Sequence, residues 1–225
     1  MTKSKFVLES KNQMIPILNK ISHWISWKLG NIFLSFFFGL EIKGRENLKD
    51  LGGPLIIVYN HCSMLDPFVV MTGIPPSSKI TPIHFAVWYK HFYKLYFLPF
   101  LLLSGAFPVR QGIGLENVLR PAIKILNNKG TIGIAPEGKR RHFGRPKKGR
   151  RGSAFLSLKT NSLLLPFYID GTLGLKLNEF FSRRKKITLV IGKPFRLPEQ
   201  KITKPEDLDA PADFIRDKIF ELEKK

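Results

Sequence analysis

Short, β-branched apolar runs alternate with helix-patterned segments along most of this chain. The clearest strand patterns cover residues 55–59, 131–135, 163–169 and 187–191, and helical periodicity covers residues 115–127 and 153–159. This alternation predicts an α/β fold: a single domain with a largely parallel mixed sheet flanked by helices. In such sheets ligands bind beyond the carboxyl ends of the strands, so functional residues are expected directly after strands.

The remaining segments are assigned by the same criteria. Residues 40–43 and 106–109 have strand character, and Asp66-Pro67 has the residue types that begin a helix, with Asp66 as its cap. The aromatic-rich stretch 84–103 is predicted to be helical in part, and a last helix is predicted over residues 212–223. The 225 residues include a single cysteine, Cys62, which excludes an intrachain disulfide and a cysteine-based zinc site.

The charge of the chain predicts an anionic partner. Its 37 Lys and Arg residues against 17 Asp and Glu give a net charge of +20, which fits nucleic acid, anionic lipid or a phosphorylated substrate. Eight of these cations lie within residues 139–151, and four more form residues 183–186. These runs are either a solvated face or a contact with lipid headgroups or an acidic acyl carrier protein. Nineteen Phe residues favour a membrane surface, and the scarcity of aromatic residues between the cations argues against nucleic acid.

The N-terminal segment has the composition of a membrane-docking helix. Residues 1–13 lack the apolar core of a signal peptide. Residues 24–40 are apolar but short and interrupted by Lys28 and Asn31, whereas a spanning helix needs about 20 apolar residues. With Trp24 and Trp27 as interfacial anchors, residues 1–39 are predicted to form an amphipathic segment that lies on or dips into one leaflet, ahead of an α/β domain over residues 40–225. The alternative is a buried core helix. A second apolar run, residues 97–103, is too short to span and contains Pro99.

The first chemically suggestive motif is Asn60-His61-Cys62-Ser63-Met64-Leu65-Asp66-Pro67, directly after the predicted strand 55–59. A carboxylate that accepts from one ring nitrogen of His61 fixes its tautomer and leaves the other nitrogen free to take a proton. The pair can therefore be a general base and its orienting group. The alternatives are a helix cap beside an ordinary turn histidine, or a covalent mechanism through Cys62, although neighbouring residues at a strand end point apart.

Two further motifs follow predicted strands. Pro136-Glu137-Gly138-Lys139-Arg140 comes after strand 131–135, and Arg110 ends the segment Gly105-Ala-Phe-Pro-Val-Arg. Gly138 permits close backbone approach to a ligand, and the arginines can bind phosphate bidentately. Taken alone, a segment such as 136–140 is more often a surface turn, and Arg110 is equally a solvated or ion-paired side chain.

Four blocks in a fixed order resemble the glycerolipid acyltransferase family. They are NHxxxxDP, GAFPVR, PEGxR, and Leu164-Leu165-Pro166-Phe167 with Asp170-Gly171, and the resemblance covers roughly residues 40–195. The best-known members are the 1-acyl-glycerol-3-phosphate acyltransferases. The resemblance implies acyl transfer from acyl-CoA or acyl carrier protein to a lysophospholipid hydroxyl, by a membrane-associated enzyme on the cytoplasmic face, with no metal and no tightly bound cofactor.

The same resemblance implies roles for individual residues. His61 is the general base and Asp66 its orienting group; Arg110, Glu137, Gly138 and Arg140 belong to the blocks that bind the acceptor phosphate; Leu165, Pro166 and Phe167 belong to the block near the acyl donor.

Two residues depart from the family pattern. Lys139 stands where the third block commonly has Thr, and Arg141 stands where it has a small polar residue. The acceptor therefore stays open between 1-acyl-glycerol-3-phosphate, glycerol-3-phosphate, another lysophospholipid and a lyso-aminolipid. A reading from another class is a basic membrane- or nucleic-acid-binding module without catalysis. In that case His61→Ala would leave function intact and neutralising Lys147, Lys148, Arg150 and Arg151 would abolish it.

Overall fold

The computed structural model describes residues 3–95, 101, 105–110, 114–140, 144, 146, 148–174 and 186–224, with side chains from Lys20 onward. Seven strands form one sheet: β1 (Glu41–Lys43), β2 (Leu55–Tyr59), β3 (Ile83–Trp88), β4 (Phe107–Val109), β5 (Thr131–Ile134), β6 (Leu163–Asp170) and β7 (Thr188–Ile191). Their order is β1-β7-β6-β2-β5-β3-β4. Every neighbouring pair is parallel except β6 and β7, which confirms the predicted mixed and largely parallel sheet.

Helices cover both faces of the sheet. The described residues form α1 (Lys3–Phe38), α2 (Asp66–Gly73), α3 (Leu115–Asn127), α4 (Arg151–Thr160) and α5 (Asp209–Phe220). Alternate residues of the central strand β2 point to opposite faces, as the pleat requires. Ile57 packs in the core that contains α1 and α2 residues, and Ile56 in the core beneath α3, α4 and α5. All five residues of β2 are buried, so its carboxyl end holds any side chain that follows it in a rigid setting.

The 84–103 stretch, predicted to be helical in part, begins with a strand that the sequence pattern did not reveal. Residues 83–88 form strand β3, in which Ile83 and Phe85 are buried while His84 and Ala86 are half-buried. This period of two is a strand pattern, and the density of aromatic residues concealed it. A 3₁₀ turn, Tyr89–Tyr93, follows. The apolar run 97–103 lies outside the described residues except for Leu101, which is buried.

The first helix, Lys3–Phe38, covers almost all of the predicted N-terminal segment 1–39 and has two unlike sides. Leu34 and Phe38 are buried in the core, and the His23 ring donates from Nε2 to the carbonyl oxygen of Ile74 at 3.2 Å. Large apolar side chains on the other side are exposed: Ile21, Trp24, Leu29, Ile32, Phe33 and Phe36. One side of the helix therefore belongs to the core, and docking of the exposed apolar side onto a membrane stays a prediction. None of the helices in the described part of the chain is long and apolar enough to cross a membrane. The division of the chain at residue 39 stays a prediction.

Candidate active site

His61 and Asp66 form a hydrogen-bonded pair at the carboxyl end of β2. The Nδ1 atom of His61 lies 2.9 Å from Oδ2 of Asp66. The Asp66 side chain is fully buried, whereas the His61 side chain is 21% exposed. A carboxylate only accepts, so Nδ1 carries the hydrogen and Nε2 keeps its lone pair. The arrangement can remove a proton from a group that approaches Nε2.

The Asp66 carboxylate also organises the loop that carries His61. The prediction that Asp66 caps α2 was wrong, because Leu65 occupies the cap position and Asp66 is the first helical residue. Its Oδ2 atom turns back and accepts the backbone N–H groups of Cys62 at 2.6 Å and Ser63 at 2.7 Å. Hydrogen bonds to a charged acceptor are the strong ones. One buried oxygen therefore fixes both the loop backbone and the imidazole ring.

Asn60 is a site residue that the sequence reasoning passed over. Its Nδ2 donates to the carbonyl oxygen of Ile169 at 2.8 Å, and its Oδ1 accepts the N–H of the same residue at 2.7 Å. An amide side chain offers both N–H donors and an oxygen acceptor, so it can satisfy both backbone groups of a residue on a neighbouring strand. Asn60 thereby ties the end of β2 to β6. The sequence did contain a signal for this role, because Asn60 is a polar amide that directly follows the apolar strand β2. The Sγ atom of Cys62 lies 3.7 Å from this Nδ2.

Tyr59 packs beside the His61 ring. Its ring is 3% exposed and meets the His61 ring edge-on, with centroids 6.2 Å apart. Burial raises the pKa of the Tyr59 phenol well above its usual range, and the nearby Asp66 carboxylate raises it further. Tyr59 therefore stays neutral throughout the physiological pH range, and it contributes packing rather than charge.

Glu137 reaches the same site from the neighbouring strand. It follows β5, which pairs with β2, and only 8% of it is exposed. Its Oε1 accepts the backbone N–H of His61 at 3.1 Å. Gly138 has φ +68°, and a Cβ atom there would lie 3.0 Å from the Arg150 side chain, so this turn requires glycine. The predicted contact of Glu137 and Gly138 with an acceptor phosphate stays a prediction. The contact that the structure shows is the hydrogen bond from the His61 backbone to Glu137.

Arg110 and Arg140 are exposed cations near the turn that follows β3. Arg110 follows β4, and its guanidinium carbon lies 5.4 Å from the centre of the Tyr89 ring. The pKa of His91 is lowered by burial and by the positive charges of Lys94 and Arg140. The charge of Arg140 therefore acts on a residue of the same turn. Both arginines thus contribute positive charge around the carboxyl ends of β3, β4 and β5. Phosphate binding by either remains a prediction.

The Leu165-Pro166-Phe167 block lies inside β6. All three residues are buried, and they pair in register with Ile57, Val58 and Tyr59 of β2. Their observed contact is therefore with the strand that carries His61. Their predicted place near the acyl donor stays a prediction.

Among the described residues of the basic runs, Arg151 and Lys186 form ion pairs. Arg151 makes a bidentate contact with Asp209, at 2.6 Å and 2.9 Å, which lowers the pKa of that carboxyl. Lys186 pairs with Glu41 at 2.7 Å. Arg151 therefore connects the start of α4 to the start of α5. Arg141, Arg145, Lys147 and residues 183–185 lie outside the described residues.

Comparison with known proteins assigns the family. A family model described as "Acyltransferase" matches residues 39–170. A 1-acyl-sn-glycerol-3-phosphate acyltransferase of Bacillus subtilis is 29% identical over 86% of this chain and 93% of its own length. The enzyme of that name from Cocos nucifera is 26% identical over 76% of this chain, which spans 59% of the relative. The crystal structure of the 1-acyl-sn-glycerophosphate acyltransferase PlsC from Thermotoga maritima shares the fold, with a TM-score of 0.65 at 22% identity, over 89% of this chain and 79% of that one.

The match to the family model covers more than half of the chain, so this protein belongs to the acyltransferase family. It is an enzyme of the O-acyltransferase type, similar to proteins named 1-acyl-sn-glycerol-3-phosphate acyltransferases. The resemblance drawn from the four sequence blocks is confirmed.

Proposed function

We propose that this enzyme transfers a fatty acyl group from an acyl thioester to the free hydroxyl of 1-acyl-glycerol-3-phosphate, making phosphatidic acid for phospholipid synthesis. The observation that carries the proposal is the His61–Asp66 pair, a partly exposed imidazole oriented by a buried carboxylate at the end of β2. The names of the similar proteins support this choice of acceptor.

The proposed reaction is a direct transfer with His61 as the general base. Nε2 takes the proton of the acceptor hydroxyl while its oxygen attacks the thioester carbonyl carbon. The resulting tetrahedral intermediate collapses, so a C–O ester bond forms and the C–S bond breaks. The thiolate that leaves receives the proton back from Nε2. A lipid hydroxyl is a poor nucleophile at neutral pH, and a positioned base contributes about 10²–10⁴-fold to such a step.

Asp66 supports both states of the imidazole in this scheme. Its hydrogen bond to Nδ1–H holds the ring with Nε2 available, and its negative charge stabilises the imidazolium that forms. The reaction needs no nucleophile from the protein, no metal and no resident cofactor. Acyl-CoA or acyl carrier protein enters as a co-substrate.

Arg110 and Arg140 are the proposed partners of the acceptor phosphate. Both are exposed on the carboxyl side of neighbouring strands, and a guanidinium matches two phosphate oxygens at once. Fixing the phosphate places the hydroxyl near Nε2, which converts part of the binding free energy into orientation.

The membrane surface is the proposed source of the acceptor, on the cytoplasmic face. The exposed apolar side of α1 supports this, since Trp24, Leu29 and Phe36 are each about half exposed at 49%, 58% and 57%. Lys28 lies 5.1 Å from the Trp24 ring centre, which combines an interfacial aromatic residue with a cation. The proposal includes no nucleic-acid partner.

A transfer assay in detergent micelles tests the function. It uses labelled acyl-CoA and acyl carrier protein donors, 1-acyl-glycerol-3-phosphate as acceptor, and the wild type beside His61→Ala and Cys62→Ser. We expect product from the wild type, at least about a 10²-fold loss in a folded His61→Ala, and full activity in Cys62→Ser. An active His61→Ala would refute the base, and an inactive but folded Cys62→Ser would point to a covalent mechanism.

A second candidate keeps the chemistry and changes the acceptor. Lys139 and Arg141 make the third block more cationic than the family pattern. This favours testing glycerol-3-phosphate, other lysophospholipids and a lyso-aminolipid with the same labelled donor. The acceptor with the highest kcat/KM identifies the headgroup, and turnover of none of them would leave only a binding function.

A further inference from the structure

The turn after β3 exposes a group of large apolar side chains at the carboxyl side of the sheet. Tyr93 and Leu95 are each 83% exposed, Trp88 is 47% exposed and Phe92 is 37% exposed. Single exposed apolar residues are ordinary, but several within one short segment mark an interaction site. We call Trp88, Lys90, Phe92, Tyr93, Lys94 and Leu95 the aromatic–lysine surface.

The aromatic rings of this segment hold each other in defined positions. Trp88 and Tyr89 meet edge to face at 6.2 Å, and Tyr89 and Tyr93 do so at 6.3 Å. Edge-to-face contacts at such distances are favourable. The rings are therefore presented as an ordered cluster, which reduces the entropy cost of binding a partner.

Cations lie among these rings, whereas acidic residues are absent from this part of the sequence. Lys90 Nζ lies 5.1 Å from the Trp88 ring centre, and the Arg110 guanidinium lies 5.4 Å from that of Tyr89. The sequence contains no Asp or Glu from residue 67 to residue 115. Aromatic residues interleaved with Lys and Arg are typical of proteins at the membrane–water interface, where anionic headgroups attract the cations. The charge pattern thus selects an anionic lipid surface as the partner.

The position of the surface agrees with that partner. Trp88 pairs with Val109 in parallel register, so the next residues, Tyr89 and Arg110, lie at the same level beyond the sheet. Trp and Tyr rings settle at the depth of the lipid headgroups. Docking through these rings would hold Arg110 at the depth of a lipid phosphate.

We propose that the aromatic–lysine surface is a second membrane-contacting element, carried by the β3 turn independently of α1, and that it docks into the headgroup layer of an anionic leaflet. The proposal deepens the proposed function, because the phosphate that Arg110 would meet is that of the lipid acceptor. The α1 helix and the β3 turn would then attach the enzyme to the bilayer through two separate parts of the chain.

Tryptophan fluorescence, restricted to one region of the chain at a time, tests whether the aromatic–lysine surface contacts the membrane. The protein has three Trp residues, two in α1 and Trp88 in the β3 turn. The full chain with Trp24→Phe and Trp27→Phe reports only on Trp88, and Trp88→Phe reports only on α1. Each protein is mixed with vesicles of phosphatidylcholine and phosphatidylglycerol that carry brominated acyl chains, and vesicle binding is measured in parallel by sedimentation. We expect quenching of Trp88 as well as of the α1 pair. Vesicle-bound protein whose Trp88 is not quenched would overturn the proposal, and so would failure to bind the vesicles.

A charge substitution gives a second, quantitative test. Tyr93→Glu combined with Leu95→Glu places acids at the two most exposed positions, where the fold tolerates them. We expect the vesicle affinity of this variant to fall about tenfold or more, because two apolar side chains no longer become buried in the headgroup layer. Phe214→Glu on α5 combined with Ile202→Glu is the control with the same change of charge, because both side chains are exposed, at 43% and 37%, outside this surface. Equal vesicle affinities in both variants would contradict the proposal.

The transfer assay in detergent separates the two proposals. If product forms in micelles but Trp88 does not touch vesicles, the acyltransferase function stands and the second contact is wrong. If Trp88 contacts vesicles but no acceptor is turned over, the membrane contact stands and the assigned reaction fails.

Discussion

The backbone N–H of His61 donates a 3.1 Å hydrogen bond to Oε1 of Glu137 and so joins the ends of two adjacent strands. The residues are 76 positions apart, yet β2 and β5 are neighbours in the sheet. The third motif therefore holds the backbone of the proposed base.

Replacing Glu137 separates this positioning role from phosphate binding. Glu137→Gln keeps an oxygen acceptor for the His61 N–H, whereas Glu137→Ala leaves that N–H unpaired at a cost of about 1–3 kcal/mol. We expect Glu137→Ala to lower kcat about 10-fold or more with little change in KM, and Glu137→Gln to retain most activity. Steady-state kinetics with varied acceptor measures both. An effect confined to the acceptor KM would instead support a direct role in binding the phosphate.

Asp66→Asn removes the charge opposite the imidazole. The amide oxygen of the new Asn side chain can accept the N–H groups of Cys62 and Ser63 in place of Asp66 Oδ2. The loop is therefore expected to keep its shape. The imidazolium loses its counter-charge, and kcat should fall by about 10²–10⁴-fold. Circular dichroism checks the fold, and Asp217→Asn on the exposed side of α5 is the control for an ordinary carboxylate. Wild-type kcat in Asp66→Asn would remove Asp66 from the mechanism.

Arg110→Lys tests the geometry of phosphate recognition. Lysine keeps the charge but loses the planar fork that binds two oxygens and stacks on Tyr89. We expect the acceptor KM to rise roughly tenfold, because the loss of one charged hydrogen bond weakens binding by about that factor. The change in kcat should be smaller. Arg120→Lys, an exposed arginine bonded to Asn117 on α3, should leave KM unchanged. Equal KM values for all three proteins would exclude Arg110 as a phosphate ligand.

Asn60→Ala should destabilise the protein as well as the site. The substitution leaves the N–H and the carbonyl of Ile169 without their side-chain partner, and Asn60 is 1% exposed, so water does not replace it. Each unpaired buried group costs about 1–3 kcal/mol. Urea unfolding measures the loss. A free energy of unfolding within about 0.5 kcal/mol of the wild type, the range of ordinary surface substitutions, would show that this bridge is dispensable.

His23 should make the stability of the protein sensitive to acid. Burial lowers the pKa of His23 below its usual 6.5, against the smaller opposing effect of its bond to Ile74. Its Nδ1 is buried without a hydrogen-bond partner among the described residues. The unfolded chain binds the proton more readily, so the free energy of unfolding should decrease as the pH falls below about 6.5.

The variant His23→Gln provides the comparison. Glutamine can donate to the Ile74 carbonyl without titrating. The free energy of unfolding of the variant should therefore decrease less than that of the wild type between about pH 7 and pH 5. Chemical unfolding at several pH values gives both curves. Parallel curves would show that the pH dependence arises elsewhere, for instance at His84, whose pKa burial also lowers.

The sequence by itself determined most of the strands and the order of the motifs. The buried strands β2, β5 and β6 are continuous β-branched or apolar runs bounded by turn residues, and helix α3 has a clear apolar period, so their boundaries could be predicted closely. His61 and Asp66 could be paired because a turn between a strand end and a helix start can bring together two side chains five positions apart. Strand β3 could not be recognised, since its aromatic residues fit a helix as well as a strand.

Only the tertiary structure decided which distant residues meet. Glu137 reaches His61 because β5 lies beside β2, and Asn60 bonds to Ile169, 109 positions away, because β6 lies on its other side. Local patterns specify a strand but not its neighbours. The strand order depends on how the helices cover both faces of the sheet, so the partners of the proposed base follow from packing over the whole chain.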